Sequence, residues 1–180
     1  SFGFSGTFDT LPVSGFRYQY TTGSDDSRTT HRYQVLRCQV PRATFPFLTL
    51  SHENFISRAL SNDIQFEDAA FNRAWHVRSA NPRFAHDVIH PRTMEFLMSE
   101  APIFERLWFE NDALLLAISG EPDISYVDGY LRFLTRFAGL VPSFVLREVG
   151  AEHRITPDLS GPGVSLEDQQ QYMAQLRSSR

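Results

Sequence analysis

Phe104-Glu105-Arg106-Leu107-Trp108-Phe109-Glu110-Asn111-Asp112-Ala113-Leu114-Leu115-Leu116-Ala117-Ile118-Ser119 decides the fold class. Two short apolar runs flank Asn111-Asp112, a residue pair suited to a tight turn. The pattern predicts strands at 104–110 and 113–119, joined as an antiparallel hairpin. A linker, Gly120-Glu121-Pro122-Asp123, leads into 125–142. There Tyr126, Tyr130, Phe133, Leu134, Phe137 and Val141 recur at helical spacing, with Asp128 and Arg132 as an i, i+4 pair on the other side.

Upstream, residues 1–50 read as β. Phe16-Arg17-Tyr18-Gln19-Tyr20 alternates aromatic and polar, the period of a half-buried strand. Residues 2–8 supply its hairpin partner, turning near Asp9-Thr10-Leu11-Pro12. A polar turn at 23–27 precedes a strand at 31–40. In that strand Tyr33 and Val35 lie on one face and Leu36, Cys38 and Val40 on the other. Either a bulge or burial on both faces accounts for the switch. Residues 45–50 predict an edge strand, because Pro46 cannot donate to a central ladder. Ser51 caps an expected short helix over 51–60. Residues 64–68 read as short strand or loop. Residues 71–78 then read as a strand, with Phe71, Arg73, Trp75 and Val77 on one face and Asn72, Ala74, His76 and Arg78 on the other. Asn81-Pro82 predicts a helix start, with Asn as cap and Pro in the first turn. Helical stretches follow at 83–89 and 92–100, the second with Met94, Leu97 and Met98 inward.

This order, strands then short helices then strands then one long helix, predicts an α+β fold: a mainly antiparallel sheet with helices packed on one face and a long C-terminal helix. Regular βαβ alternation, GxGxxG and P-loop motifs are all missing from the sequence, so a nucleotide-binding doubly wound sheet is not expected. Residues 1–150 are expected to form one domain. Beyond Gly150 the chain turns polar and rich in Pro and Gly; 151–180 is expected to be a flexible or peripheral tail, with a Gln-rich helix at most over 164–177.

The 180 residues are 42% hydrophobic and 21% charged, with a formal net charge of −4. This is ordinary globular composition. The acidic balance argues against a nucleic-acid partner. All seventeen basic residues are Arg, which fits coding bias and equally a surface built for bidentate anion contacts. The single Cys38 rules out an intramolecular disulfide and sits where a buried, inert thiol is the default. No apolar run approaches the ~18–20 residues that span a bilayer.

Three groups of residues bear on function. His86 and His90, at i and i+4 with Asp87 between them, have the spacing with which HExxH helices hold a metal ion. They define a candidate metal-dependent hydrolase site. Asp is shorter than Glu, Pro91 ends or bends the helix, and the third ligand is open among His76, Glu95 and Glu100. Arg73, Arg78, Arg83 and Arg92, with His76, form a candidate belt for a phosphate, carboxylate or lipid headgroup. The competing reading pairs these arginines with Asp68, Asp87, Glu95 and Glu100 as structural ion pairs. Serine nucleophiles have no GxSxG frame, since neither Ser119-Gly120 nor Ser160-Gly161 lies in one. The aromatics Phe16, Tyr18, Tyr20, Trp75 and Trp108 could stack bases, but one face of a core is the expectation.

Three segments carry a resemblance: Phe71-Asn72-Arg73-Ala74-Trp75-His76-Val77, Asn81-Pro82-Arg83-Phe84-Ala85-His86, and His90-Pro91-Arg92-Thr93-Met94-Glu95. Together with 15–22 and 142–150, they resemble a family of uncharacterised actinobacterial proteins, often membrane-anchored, with a soluble α+β domain of unknown function. The resemblance implies that Asn72, Arg73, Trp75, Arg83, Ala85, His86, Pro91 and Arg92 belong to a recurrent signature. It transfers no activity. The expectation is a domain without enzymatic activity or cofactor, cytoplasmic, either free or at the inner face of a membrane. It would bind an unknown protein or a small anionic ligand, with any membrane association through segments outside this chain.

Overall fold

The hairpin at 104–119 lies in the middle of the sheet. In the computed structural model, which describes residues 3–24, 27–52, 63–120 and 124–150, it consists of β6 (Arg106–Asn111) and β7 (Ala113–Ser119). Glu110 pairs with Ala113 across the two-residue turn, and Asn111 takes φ 53° there. The Asp112 carboxylate then clamps the neighbouring strand, accepting from Arg37 and Gln39, while its carbonyl accepts from the Val40 amide. A second two-residue turn joins β1 (Gly3–Phe8) to β2 (Leu11–Thr22), with Asp9 and Thr10 both at positive φ. That backbone twist suits the strands it connects.

With β3 (Thr29–Gln39), β4 (Phe45–His52) and β5 (Trp75–Ser79), seven strands form one antiparallel sheet in the order β1-β2-β3-β7-β6-β4-β5. The helices are α1 (Ala69–Ala74), α2 (Pro82–Val88), α3 (Pro91–Glu100), α4 (Ile124–Leu140) and α5 (Ser143–Glu148). They pack against the sheet, so the α+β architecture is as expected. The long helix is α4, and the short α5 follows it. The expected helix over 164–177 lies outside the described residues.

The core sits between sheet and helices. Leu36, Cys38, Leu107, Phe109, Leu114 and Leu116 point into it from the strands; Val127, Leu131, Leu134, Phe137 and Ala138 meet them from α4. The Phe109 ring lies 5.1 Å from Phe45, 5.7 Å from Phe84 and 5.9 Å from Phe137. Burying each such ring stabilises the fold by about 1.5–3 kcal/mol. Gly15 faces the same side. A Cβ there would lie 2.3 Å from Cε1 of Phe4, so the missing side chain lets the Phe4 ring close over the strand.

Several elements differ from the expectation. Residues 45–50 belong to an interior strand, since β4 pairs with β6 on one side and β5 on the other. Its register slips between Phe45 and Leu48, and Pro46 falls within that irregularity, where its missing N–H is tolerated. Ser51 and His52 close β4 instead of capping a helix; the rest of 51–60 lies outside the described residues. The expected strand 71–78 divides. Asp68 accepts from the Ala70 and Phe71 amides and caps α1, and only Trp75–Ser79 is strand. Arg73 is therefore helical. The phase change in β3 is no bulge: its pairing with β2 and β7 is continuous, and Val35 is buried on the opposite face with Ala113 and Leu115. On α3, Thr93, Met94, Phe96 and Leu97 are buried and Met98 is exposed. On α4 the buried stripe starts at Val127, and Tyr126 is exposed.

Candidate functional site

The helices cover one face of the sheet, and the opposite face carries the site. Cross-strand partners share a face, so register alone places Phe16, Tyr18 and Tyr20 of β2 beside Val35, Tyr33 and His31 of β3. Val35 pairs with Ala117, and Ala117 with Arg106. Trp108 lies between Leu115 and Thr49, and Thr49 pairs with Arg78. Beneath the aromatics, Val35, Ala113 and Leu115 make a small buried floor against which Trp108 and Ala117 pack.

The expectation that Phe16, Tyr18, Tyr20, Trp75 and Trp108 form one core face is therefore corrected. Trp75 is buried on the helix side, whereas Phe16, Tyr18 and Tyr20 are 44%, 52% and 40% exposed on the uncovered side. They line a groove of about 410 Å³ together with Tyr33, Trp108, Ser51, Glu105 and Arg106. Its walls are pre-ordered by ring contacts. Tyr20 stacks on His31 at 4.8 Å and on Tyr33 at 6.0 Å, and Tyr18 leans on Tyr20 at 5.8 Å. A hydrogen bond with Tyr20, reinforced by burial, pushes the Tyr33 phenol up to about 12, so it stays protonated. The indole N–H of Trp108 donates to Glu110 at 3.2 Å.

At the β5 margin of this face stands a charged cluster. The Asp63 carboxylate meets Nδ1 of His76 through one oxygen and Nε of Arg78, at 2.7 Å, through the other. Burial alone would raise the Asp63 carboxyl. The hydrogen bonds from Arg78 and His76, with their charges, outweigh it and hold the group below its ordinary value. Nearby, the Asn72 amide pins the preceding segment by exchanging hydrogen bonds with the Phe66 backbone.

The other candidate residues lie among the helices. Arg73 is exposed on α1. Arg83, with a side chain 74% exposed, pairs with Asp87 at 3.6 Å and with Glu148 of α5 at 2.9 Å. Arg92 lines a shallow hollow between α3 and α4, where Glu100 chelates Arg136 over the Phe96 ring. His76, Arg83 and Arg92 thus each border a different set of neighbours. His86 and His90 do not share a helix. His86 is exposed on α2 against the Phe66 ring. His90 is the N-cap residue of α3, and its Nε2 lies 3.0 Å from the Leu140 carbonyl oxygen and 3.2 Å from Thr93 Oγ1. Among the described residues, no group of three or more His, Cys, Asp or Glu is placed to hold a metal ion. Cys38 is fully buried, and burial pushes its thiol up to about 12, which makes it a poor nucleophile.

Sequence reasoning missed the open aromatic face. The alternation in 16–20 correctly gave two faces, but the covered one is set by Leu11, Val13 and Gly15, further up the same strand. The abundance of Tyr at 18, 20 and 33 was the available signal, since a phenol prefers a wet margin.

No protein-family model matches this sequence, and neither does any curated protein. One solved structure shares the fold: the mycobacterial trehalose monomycolate transport factor A, TtfA, with a TM-score of 0.53 and 17% identity over 77% of this chain and 71% of that one. Among the described residues, no helix is long and apolar enough to cross a membrane.

Proposed function

We propose that this chain is an interaction domain that docks a protein partner on the uncovered face of its sheet. The observation that carries the reading is the exposure of Phe16, Tyr18 and Tyr20 around a groove walled by Tyr33, Trp108 and Arg106. Tyr, Trp, Phe and Arg are the residues that dominate binding energy at protein interfaces. Rings held by mutual stacking lose little further freedom on binding. Likeness to a transport factor supports a role in an assembly, and the resemblance to often-anchored proteins supports a membrane-associated one.

The test is recovery of partners by the tagged protein from its native cells. A partner held by the wild type should be lost with Tyr18→Asp and retained with Arg73→Glu. Loss with Arg73→Glu, Arg83→Glu or Arg92→Glu and retention with Tyr18→Asp would move the binding surface to the arginines of the helices.

A further inference from the structure

At the β5 margin of the open face stand Ser51, which borders the groove, and two side chains beyond it, His76 and Asp63. Ser51 of β4 and His76 of β5 are directly paired and share the uncovered face. On the far side of β5, the Ile64 amide donates to the Val77 carbonyl at 2.8 Å, so the chain next to Asp63 runs along that strand's outer edge. Ser51, His76 and Asp63 therefore follow one another across the sheet. His76 gives Nδ1 to Asp63, whose second oxygen is fixed by Arg78. Among the described residues, the Ser51 hydroxyl and Nε2 of His76 have no other hydrogen-bond partner, and they do not bond each other. Paired residues in adjacent antiparallel strands have Cβ atoms about 5 Å apart, which sets the two side chains next to each other on the open face. Catalytic hydrogen bonds are commonly loose before substrate binds. Ser51, only 7% exposed, shows what remains of its surface to the aromatic groove.

We propose that Ser51, His76 and Asp63 form a hydrolytic triad that cleaves esters whose apolar acyl group lies in the aromatic groove. The order nucleophile, imidazole, carboxylate is the one such chemistry requires, and it is recognised by geometry and not by a GxSxG frame. Ser51 Oγ attacks the ester carbonyl carbon and passes its proton to Nε2 of His76. Asp63, ionised, holds Nδ1–H and stabilises the imidazolium. Arg106, in the same groove, supplies N–H donors for the oxyanion. Collapse breaks the C–O bond, and the departing alcohol takes the proton from His76. Water then attacks the acyl-serine, giving one proton to His76 and thence to Ser51, and the carboxylic acid leaves. This goes beyond partner docking and does not depend on it.

The experiment treats the full chain with a fluorophosphonate probe, read by intact mass, and with p-nitrophenyl butyrate, read by nitrophenolate release. One adduct on Ser51 is expected. Ser51→Ala should abolish both signals, and Asp63→Asn, which keeps the shape of the carboxylate, should slow hydrolysis about a thousandfold or more. A wild-type protein without adduct, or an adduct that survives Ser51→Ala, overturns the proposal. So does Asp63→Asn hydrolysing at the wild-type rate. Asp63 lies outside the groove, so Asp63→Asn should leave partner recovery unchanged while it slows hydrolysis, and the two readings fail separately.

Discussion

The two faces of one sheet make opposite use of the same residue classes. On β6, Phe109 turns toward the helices and is fully buried among Phe45, Phe84 and Phe137. Its neighbour Trp108 turns the other way and forms a wall of the open groove. One step along the strand separates a ring that holds the fold from a ring available to bind. The difference teaches that aromatic content does not mark the core here; the layer facing each ring does.

Substitution on both faces tests this contrast. The largest effect is expected from Phe109→Ala, which leaves a cavity in a close-packed cluster and should cost about 3–5 kcal/mol in denaturant unfolding. Trp108→Ala should cost less, about 1–2 kcal/mol, because its ring is only partly buried against the small floor of Val35, Ala113 and Leu115. Equal losses would mean that the open face is as closed as the core. Next comes Gly15→Val, whose side chain would enter the space of the Phe4 ring. The displaced ring should cost about 1–3 kcal/mol. An unchanged midpoint would show that Phe4 does not pack there.

The smallest effect is linked to pH. The Asp63 carboxyl is depressed in the folded state, so its contribution is present above its ordinary value and is lost as pH falls through the folded one. The wild type should therefore lose part of its stability in the acid range below about pH 4, the region of ordinary carboxylate values. Asp63→Asn should be less stable at neutral pH and flatter across that acid window. Matched acid profiles for the two proteins would mean that the cluster with His76 and Arg78 does not form in solution.

Local signals were legible wherever one residue type settles one conformation. Asn111-Asp112 gave the hairpin turn, and Asn81-Pro82 gave the start of α2, where Asn81 accepts from the Phe84 amide. Legibility failed where two periods fit the same letters. Phe71, Trp75 and Val77 satisfy strand alternation, yet Phe71 and Trp75 are also four apart, the spacing of one helix face. The Asp68 cap decides for helix up to Ala74. Pro46 misled differently: the rule that excludes it from central strands lapses at a register slip, which sequence does not display. Of the candidate site, His76 was legible as a strand residue facing away from Trp75 and Val77. Its neighbours were not, because Ser51 and Asp63 lie 25 and 13 positions away: strand pairing sets Ser51 beside it, and the segment along the outer edge of β5 brings Asp63.

The sequence by itself determined the α+β class, the central hairpin, most strand and helix positions, and the two-faced character of each strand. These follow from side-chain period and turn chemistry, which act over a few residues. Only the tertiary structure decided which face of the sheet the helices cover, that β4 is interior, and which polar residues meet at the β5 margin. Those outcomes depend on pairing between distant segments, where the free energy comes from burying one face of the sheet and local preference has no vote.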